Sequence, residues 1–155
     1  TTPLEPNVPL RVPKWKVTEL DLPYRELTGS LQYACRVSRP DVQYAVNRLS
    51  AFNSNYEEDH YNQAIRVVNY IKSTINHHIR LGKLNDNGLE LYCDSDYASD
   101  PSRKSITGYM LFFNGALITW GSKKQNSVSK SSAESEFIAA SISANVGKFY
   151  LMLTK

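Results

Sequence analysis

The chain has 155 residues, 41% of them hydrophobic, which is enough to bury the core of one ordinary domain or two small ones and excludes a mainly disordered protein. It carries 18 basic and 15 acidic residues, but from Pro101 onward seven basic residues stand against only Glu134 and Glu136. This basic stretch suits a polyanionic partner such as nucleic acid, and an ordinary solvated surface explains it equally well.

The sequence indicates neither a membrane span nor a zinc site. No stretch approaches the roughly 18 consecutive apolar residues of a membrane helix, so we expect a soluble, intracellular protein. Cys35 and Cys93 are the only cysteines and show no Cys-x-x-Cys or Cys/His spacing. They are therefore predicted to be two reduced, buried thiols.

The first segment, residues 1–21, is predicted to be a proline-rich, extended linker. Four prolines fall within its first 13 residues, where they remove amide donors and disfavour helix. The second segment, residues 22–83, is predicted to be helical. The third, residues 84–155, has a different hydrophobic period.

Three helices are predicted in the second segment. The first covers about residues 22–35, with Asp21 as its cap and Pro23 in its first turn. The second starts at Ser38, three residues before Asp41, in a capping pattern. The third starts at residues 57–59, where three carboxylates suit a helix N-terminus. Their apolar stripes predict packing and no chemistry.

In the third segment the pattern predicts strands and one final helix. A turn at residues 85–88 precedes strands at 89–93, 107–113 and 116–120, the last two joined across a tight Asn114-Gly115 turn. These strands should form an antiparallel meander. Ser131 and Glu134 then form a capping box, and one face of the helix is predicted to carry Phe137, Ala140, Ala144 and Leu151. The fold class is therefore α+β.

Two carboxylates are the candidates for chemistry. Asp94 ends the first strand, and Glu136 lies one turn into the final helix. Packing of that helix across the sheet could bring them together, and paired carboxylates repel unless a cation such as Mg²⁺ lies between them. A turn residue and a helix-dipole partner explain the same two positions without metal.

Seven ordered segments carry a family resemblance. They resemble the Pol protein of copia-type LTR retrotransposons and comprise 24–33 (YRELTGSLQY), 38–41 (SRPD), 45–50 (AVNRLS), 92–100 (YCDSDYASD), 103–109 (RKSITGY), 120–125 (WGSKKQ) and 131–139 (SSAESEFIA). The resemblance covers the chain from about Leu22 to its end, in the family's order.

The resemblance implies the end of a reverse transcriptase followed by the start of a ribonuclease H domain. The helices would belong to the thumb and connection, and the strands and last helix to a truncated ribonuclease H-like unit. Asp94 matches the family's first catalytic aspartate and Glu136 its catalytic glutamate, and both would be metal ligands. Two Mg²⁺ (or Mn²⁺) ions would then promote hydrolysis of the RNA strand of RNA/DNA hybrids, in cytoplasmic virus-like particles or the nucleus.

The chain also departs from the family's pattern. Two further catalytic aspartates are expected on later elements, but no Asp follows Asp100. Asp96 and Asp100 are interpreted as loop carboxylates, and Glu134 as part of the helix cap. A missing fourth strand would leave a sheet edge open, so we expect a cover from the rest of the reverse transcriptase or from a second copy of the chain.

Residues near the strand ends are predicted to contact a nucleic-acid backbone, although basic loop residues are also simply soluble surface. They are Ser95, Arg103, Lys104, Lys123, Lys124 and Gln125.

Two functions remain open from the sequence. One is a metal-dependent ribonuclease H acting on RNA/DNA hybrids. The other is a non-catalytic remnant or co-opted module that binds nucleic acid or a protein partner. Whether this chain is an enzyme depends on a complete set of carboxylates.

Overall fold

The computed structural model describes residues 2–5, 10, 13 and 21–154. The chain divides into two compact units, Thr1–His78 and Ile79–Lys155. Most of the predicted linker over residues 1–21 lies outside the described residues, and the predicted boundary after residue 83 stays a prediction. Within the described part, no helix is both long and apolar enough to cross a membrane.

Within the residues that the structure describes, the first unit contains three helices and a short 3-10 turn. They are α1 (Tyr24–Val37), the turn Pro40–Val42, α2 (Gln43–Ser50) and α3 (Glu58–Ser73). Their apolar stripes meet in one core that includes Leu31, Val46, Leu49 and Val67. The buried Tyr24 is tied into this core because its hydroxyl donates to the carbonyl of Leu49 at 2.8 Å.

Two of the predicted helix caps are wrong. Asp21 lies before Pro23, and it is Pro23 that occupies the cap position of α1. The Ser38 capping pattern is replaced by the 3-10 turn, because Asp41 directs its carboxylate to Arg39 instead. The third helix begins where predicted, and Glu57 and His60 satisfy each other's backbone N–H groups there.

Arg39 connects the 3-10 turn to the C-terminal end of α3. Arg39 is buried (7% exposed), and its guanidinium donates to both oxygens of Asp41, at 3.0 and 2.7 Å. It also donates to Thr74 Oγ1 at 2.6 Å and lies over the ring of Tyr70. The charge thus stabilises the C-terminal end of α3, whose last carbonyls lack helical partners.

The second unit is a three-stranded antiparallel sheet with one helix, which confirms the predicted α+β class. The strands β1 (Leu89–Asp96), β2 (Ile106–Phe113) and β3 (Ala116–Lys124) lie in the order β1-β2-β3. The helix α4 (Ser132–Leu153) packs against β1 and β2. The predicted hairpin turn is also confirmed, because Asn114 and Gly115 have φ values of 47° and 82°.

Small residues form the buried face of α4. The helix buries Ser135, Ala139 and Ser143, and a Cβ added at Gly147 would lie 3.2 Å from Leu91 Cδ2. Small side chains let the helix approach the sheet closely. Phe137, Ala140, Ala144 and Leu151, which the sequence predicted on one face of the helix, are exposed, and Phe137 reaches 77%.

Candidate functional site

One end of the sheet in the second unit collects the predicted site residues. Cα pairing places Asp96 opposite Ile106, and Ile106 opposite Lys124. The C-terminal end of β1, the start of β2 and the end of β3 therefore coincide. Arg103 and Lys104 lie immediately before β2 and so belong to the same end.

The first turn of α4 lies at this end as well. Gln125 Nε2 donates to the backbone carbonyl of Ser135 at 3.0 Å and to Thr107 Oγ1 at 3.1 Å. Twelve residues later, Gly147 approaches Leu91, nearer the start of β1. The helix therefore runs antiparallel to β1, and Glu136 lies at the level where β1 ends.

The two candidate carboxylates nevertheless belong to opposite faces of the sheet. Leu91 faces α4, and strand side chains alternate between faces, so Cys93 and Ser95 share its face. Asp94 therefore points to the other face, on which the rings of Tyr92 and Phe112 also meet. Asp94 and Glu136 can share a cation only around the edge of β1, which is the outer strand of the described sheet.

The described residues do not form a complete metal site. Exposed carboxylates such as Asp94 and Glu136 are ligands of the type that Mg²⁺ prefers. However, the part of the chain that the structure describes has no group of three or more His, Cys, Asp or Glu side chains placed to hold a metal ion. The donor type fits the ion and the donor number does not.

Asp100 organises the loop between β1 and β2. Its carboxylate accepts from the backbone N–H of Ser102 at 2.8 Å, from the Ser102 hydroxyl, and from Lys124 Nζ at 3.1 Å. Burial raises the pKa of Asp100, but these hydrogen bonds outweigh it and the pKa lies below its ordinary value. The loop role predicted for Asp100 agrees with these contacts, whereas the loop position predicted for Asp96 is wrong, because Asp96 is the last residue of β1 and pairs with Ile106.

The same loop holds Arg103 in the left-handed backbone region, with φ of 61°, which few non-glycine residues adopt. Arg103, Lys123 and Lys124 are exposed, and Lys104 is half-buried. These four side chains present positive charge at the same end of the sheet as the two carboxylates.

Gln125 and Ser95 do not present their polar groups to solvent. Gln125 is 2% exposed, and its amide is bonded inside the unit. The prediction that it contacts nucleic acid from the surface is corrected by this burial. The Ser95 hydroxyl is buried too, on the α4 face, and has no hydrogen-bond partner among the described residues.

Sequence reasoning missed the partners of Gln125, which are Thr107, Ser129 and the carbonyl of Ser135. Periodicity carries no signal for them because each is a small polar residue that resembles ordinary surface. Only the fold brings positions 107, 125, 129 and 135 together. Glu134 does behave as predicted, because it accepts from the N–H of Lys130 while its own N–H donates to Ser131.

No family model and no solved structure matches the chain. Among curated proteins, the retrovirus-related Pol polyprotein from transposon RE1 of Arabidopsis thaliana is 41% identical over 140 residues. The Pol polyprotein from transposon TNT 1-94 of Nicotiana tabacum is 38% identical over 120 residues. A shorter relative, secreted RxLR effector protein 161 of Plasmopara viticola, is 37% identical over 122 residues, which are 78% of this chain and 86% of that protein.

These similarities assign the chain, with its helical unit and its α+β unit, to the transposon polyproteins. The chain belongs to the family of retrovirus-related Pol polyproteins from copia-type retrotransposons. The match to the RE1 polyprotein includes 88% of this chain but only 9% of that polyprotein. The chain thus spans less than a tenth of the Pol polyproteins that it matches.

Proposed function

We propose that this chain is the ribonuclease H region of a retrotransposon reverse transcriptase, preceded by part of the thumb and connection. Its substrate is the RNA strand of an RNA/DNA hybrid, and its cofactor is Mg²⁺ or Mn²⁺. Membership of the Pol family and the segments around Asp94 and Glu136 support this assignment. We place its activity in cytoplasmic virus-like particles, in the nucleus, or in both.

The observation that carries the proposal is the collection of charge at one end of the second unit. Asp94 and Glu136 lie there, at the ends of β1 and α4 that coincide. Arg103, Lys123 and Lys124 lie at the same end. Basic side chains neutralise phosphates, and carboxylates hold divalent ions, so this end combines the two requirements of a metal-dependent nuclease.

The remaining ligands must come from outside the described residues, because two carboxylates do not complete the site. We propose that a partner element lies along the outer edge of β1, around which Asp94 and Glu136 can meet. Either the rest of the reverse transcriptase or a second copy of the chain would supply it. The edge strand's unpaired N–H and C=O groups favour such an addition.

Cleavage of a labelled RNA/DNA hybrid tests the proposal. The assay compares the Pol protein that contains this chain, and the chain alone, with Asp94→Asn and Glu136→Gln variants. Each variant should lose at least about 100-fold in rate, because outer-shell partners of metal ligands already cost 10- to 100-fold. Asp86→Asn is the matched control, since Asp86 pairs with Lys83 on the surface outside the proposed site. Equal rates for all variants would defeat the proposal.

The second candidate function is a non-catalytic module that binds nucleic acid or a protein. The absence of a three-ligand cluster within the described residues favours it for this chain alone. This function would be supported if neither the Pol protein nor the chain alone cleaves the hybrid, and if hybrid binding is unchanged by Asp94→Asn and by Glu136→Gln.

A further inference from the structure

The side-chain amide of Gln125 is buried and hydrogen-bonded through both its nitrogen and its oxygen. Its Nε2 donates to Thr107 Oγ1 at 3.1 Å and to the carbonyl of Ser135 at 3.0 Å. Its Oε1 accepts from the Ser129 hydroxyl at 3.2 Å. Its backbone N–H donates to the carbonyl of Ser105 at 2.9 Å. One buried side chain therefore joins β2, the loop after β3 and α4.

The contact on α4 falls next to Glu136. Ser135 is fully buried, and its hydroxyl donates to the carbonyl of Ser132 at 2.7 Å. The turn before it is closed by Ser131 Oγ, which accepts from the N–H of Glu134 at 3.1 Å. Because a helix is stiff over one turn, fixing the carbonyl of Ser135 fixes the height and rotation of Glu136.

Only a side-chain amide can make all the side-chain hydrogen bonds observed at position 125. The side chain must offer two N–H groups to two acceptors and one oxygen to a hydroxyl, which is the inventory of a glutamine. A glutamate of the same shape would keep the acceptor for Ser129 but would bring a negative charge to the carbonyl of Ser135. A buried polar group left without a partner destabilises the fold, so the first turn of α4 would move to escape this contact.

We propose that Gln125 is a positioning residue that holds the first turn of α4, and with it Glu136, at the end of β1. The positional part stands on the hydrogen bonds of Gln125, and the catalytic part rests on the proposed function. Gln125, which the sequence predicted to be an exposed contact to nucleic acid, would instead support Glu136 from inside the unit.

A distance measurement tests the positional part without any activity. The burial predicted for both cysteines is confirmed for Cys35 and wrong for Cys93, which is exposed on β1, so a spin label reacts with the native Cys93. A second label at Ala140→Cys, on the exposed side of α4 one turn after Glu136, reports the distance to the helix. Gln125→Glu should shift or broaden that distance distribution by about 1 Å or more, the scale at which displaced catalytic groups lose rate.

Two variants keep this measurement decisive. Thr107→Val removes one acceptor of Gln125 and retains the side chain's shape, so it should give a smaller change in the same direction. Gly115→Ala strains the hairpin turn that follows β2, where Gly115 has φ of 82°, away from the first turn of α4. It should lower stability and leave the distance unchanged. An unchanged distance in Gln125→Glu, or an equal change in Gly115→Ala, overturns the proposal.

Kinetics on the RNA/DNA hybrid test the catalytic part. Gln125→Glu in the Pol protein should lower kcat about 10- to 100-fold and leave KM near the wild-type value, because the substrate contacts remain. Gly115→Ala should retain kcat below its unfolding temperature. A normal kcat in a Gln125→Glu protein whose helix has moved overturns the catalytic part. Absence of cleavage by the wild type defeats the proposed function, while a shifted distance still supports Gln125 as the support of α4.

Discussion

Replacing Asp41 by Asn should destabilise the first unit strongly, because it leaves the guanidinium of Arg39 buried without its counter-charge. Arg39 is 7% exposed and donates to both carboxylate oxygens of Asp41. Removing one partner of a buried ion pair costs about 3–5 kcal/mol. The Asp41 side chain is 32% exposed, so we expect the lower end of that range, about 3 kcal/mol.

The same pair predicts an acid dependence. Hydrogen bonds from Arg39 hold the pKa of Asp41 below its ordinary value, although partial burial opposes them. A carboxylate with a lowered folded pKa contributes stability above the unfolded pKa of about 3.9. That contribution is lost as the pH falls through the lower folded pKa. Asp41→Asn should therefore be less stable than the wild type at pH 7, and the gap should narrow in acid.

Amide hydrogen exchange in α1, α2 and α3 measures this free energy in the first unit alone. Asp59→Asn is the control within the first unit, because Asp59 is exposed in the first turn of α3 and its loss should cost at most about 1 kcal/mol. If Asp41→Asn costs no more than the control, or if its stability follows the same acid profile as the wild type, the buried pair does not stabilise the unit as argued.

Three further predictions follow from single contacts. Gly115→Ala should destabilise the second unit by about 1–2 kcal/mol, because Gly115 has a left-handed φ and its new Cβ would lie 2.8 Å from Asn85 Nδ2; a thermal transition within error of the wild type would contradict this. A thiol reagent should modify one cysteine per native chain, at the exposed Cys93, while burial shields Cys35 and raises its thiol pKa; two fast equivalents would contradict it. If the exposed Lys123 contacts phosphate, Lys123→Ala should lower the slope of log affinity against log salt by about one, and an unchanged slope would remove it from the interface.

The elements of the second unit were predictable because their signals are local. Alternation and the Asn114-Gly115 turn located two strands, and the Ser131–Glu134 cap located the start of α4. The inner face of α4 was not predictable in the same way. The apolar residues of α4 are distributed on all sides of the helix. Periodicity therefore could not distinguish Ala139, which packs on the sheet, from Ala140, which is exposed.

The position of the two candidate carboxylates along the sheet was predictable, and the face of the sheet to which each belongs was not. Asp94 and Glu136 do come to the same end of the sheet, as the topology required. Asp94 and Glu136 belong to opposite faces because α4 covers the face of β1 that carries Leu91, where Gly147 approaches that side chain. Gln125 was misplaced at the surface because its partners are up to 18 residues away and have no hydrophobic pattern.

The most direct measurement is a double-variant cycle of hybrid cleavage with Asp94→Asn, Glu136→Gln and the two changes combined, in the Pol protein that contains this chain. If the two carboxylates act on one divalent ion at the end of β1, the double variant should be about as slow as the slower single variant. Independent losses that multiply, or a wild-type rate in either single variant, would contradict a shared site.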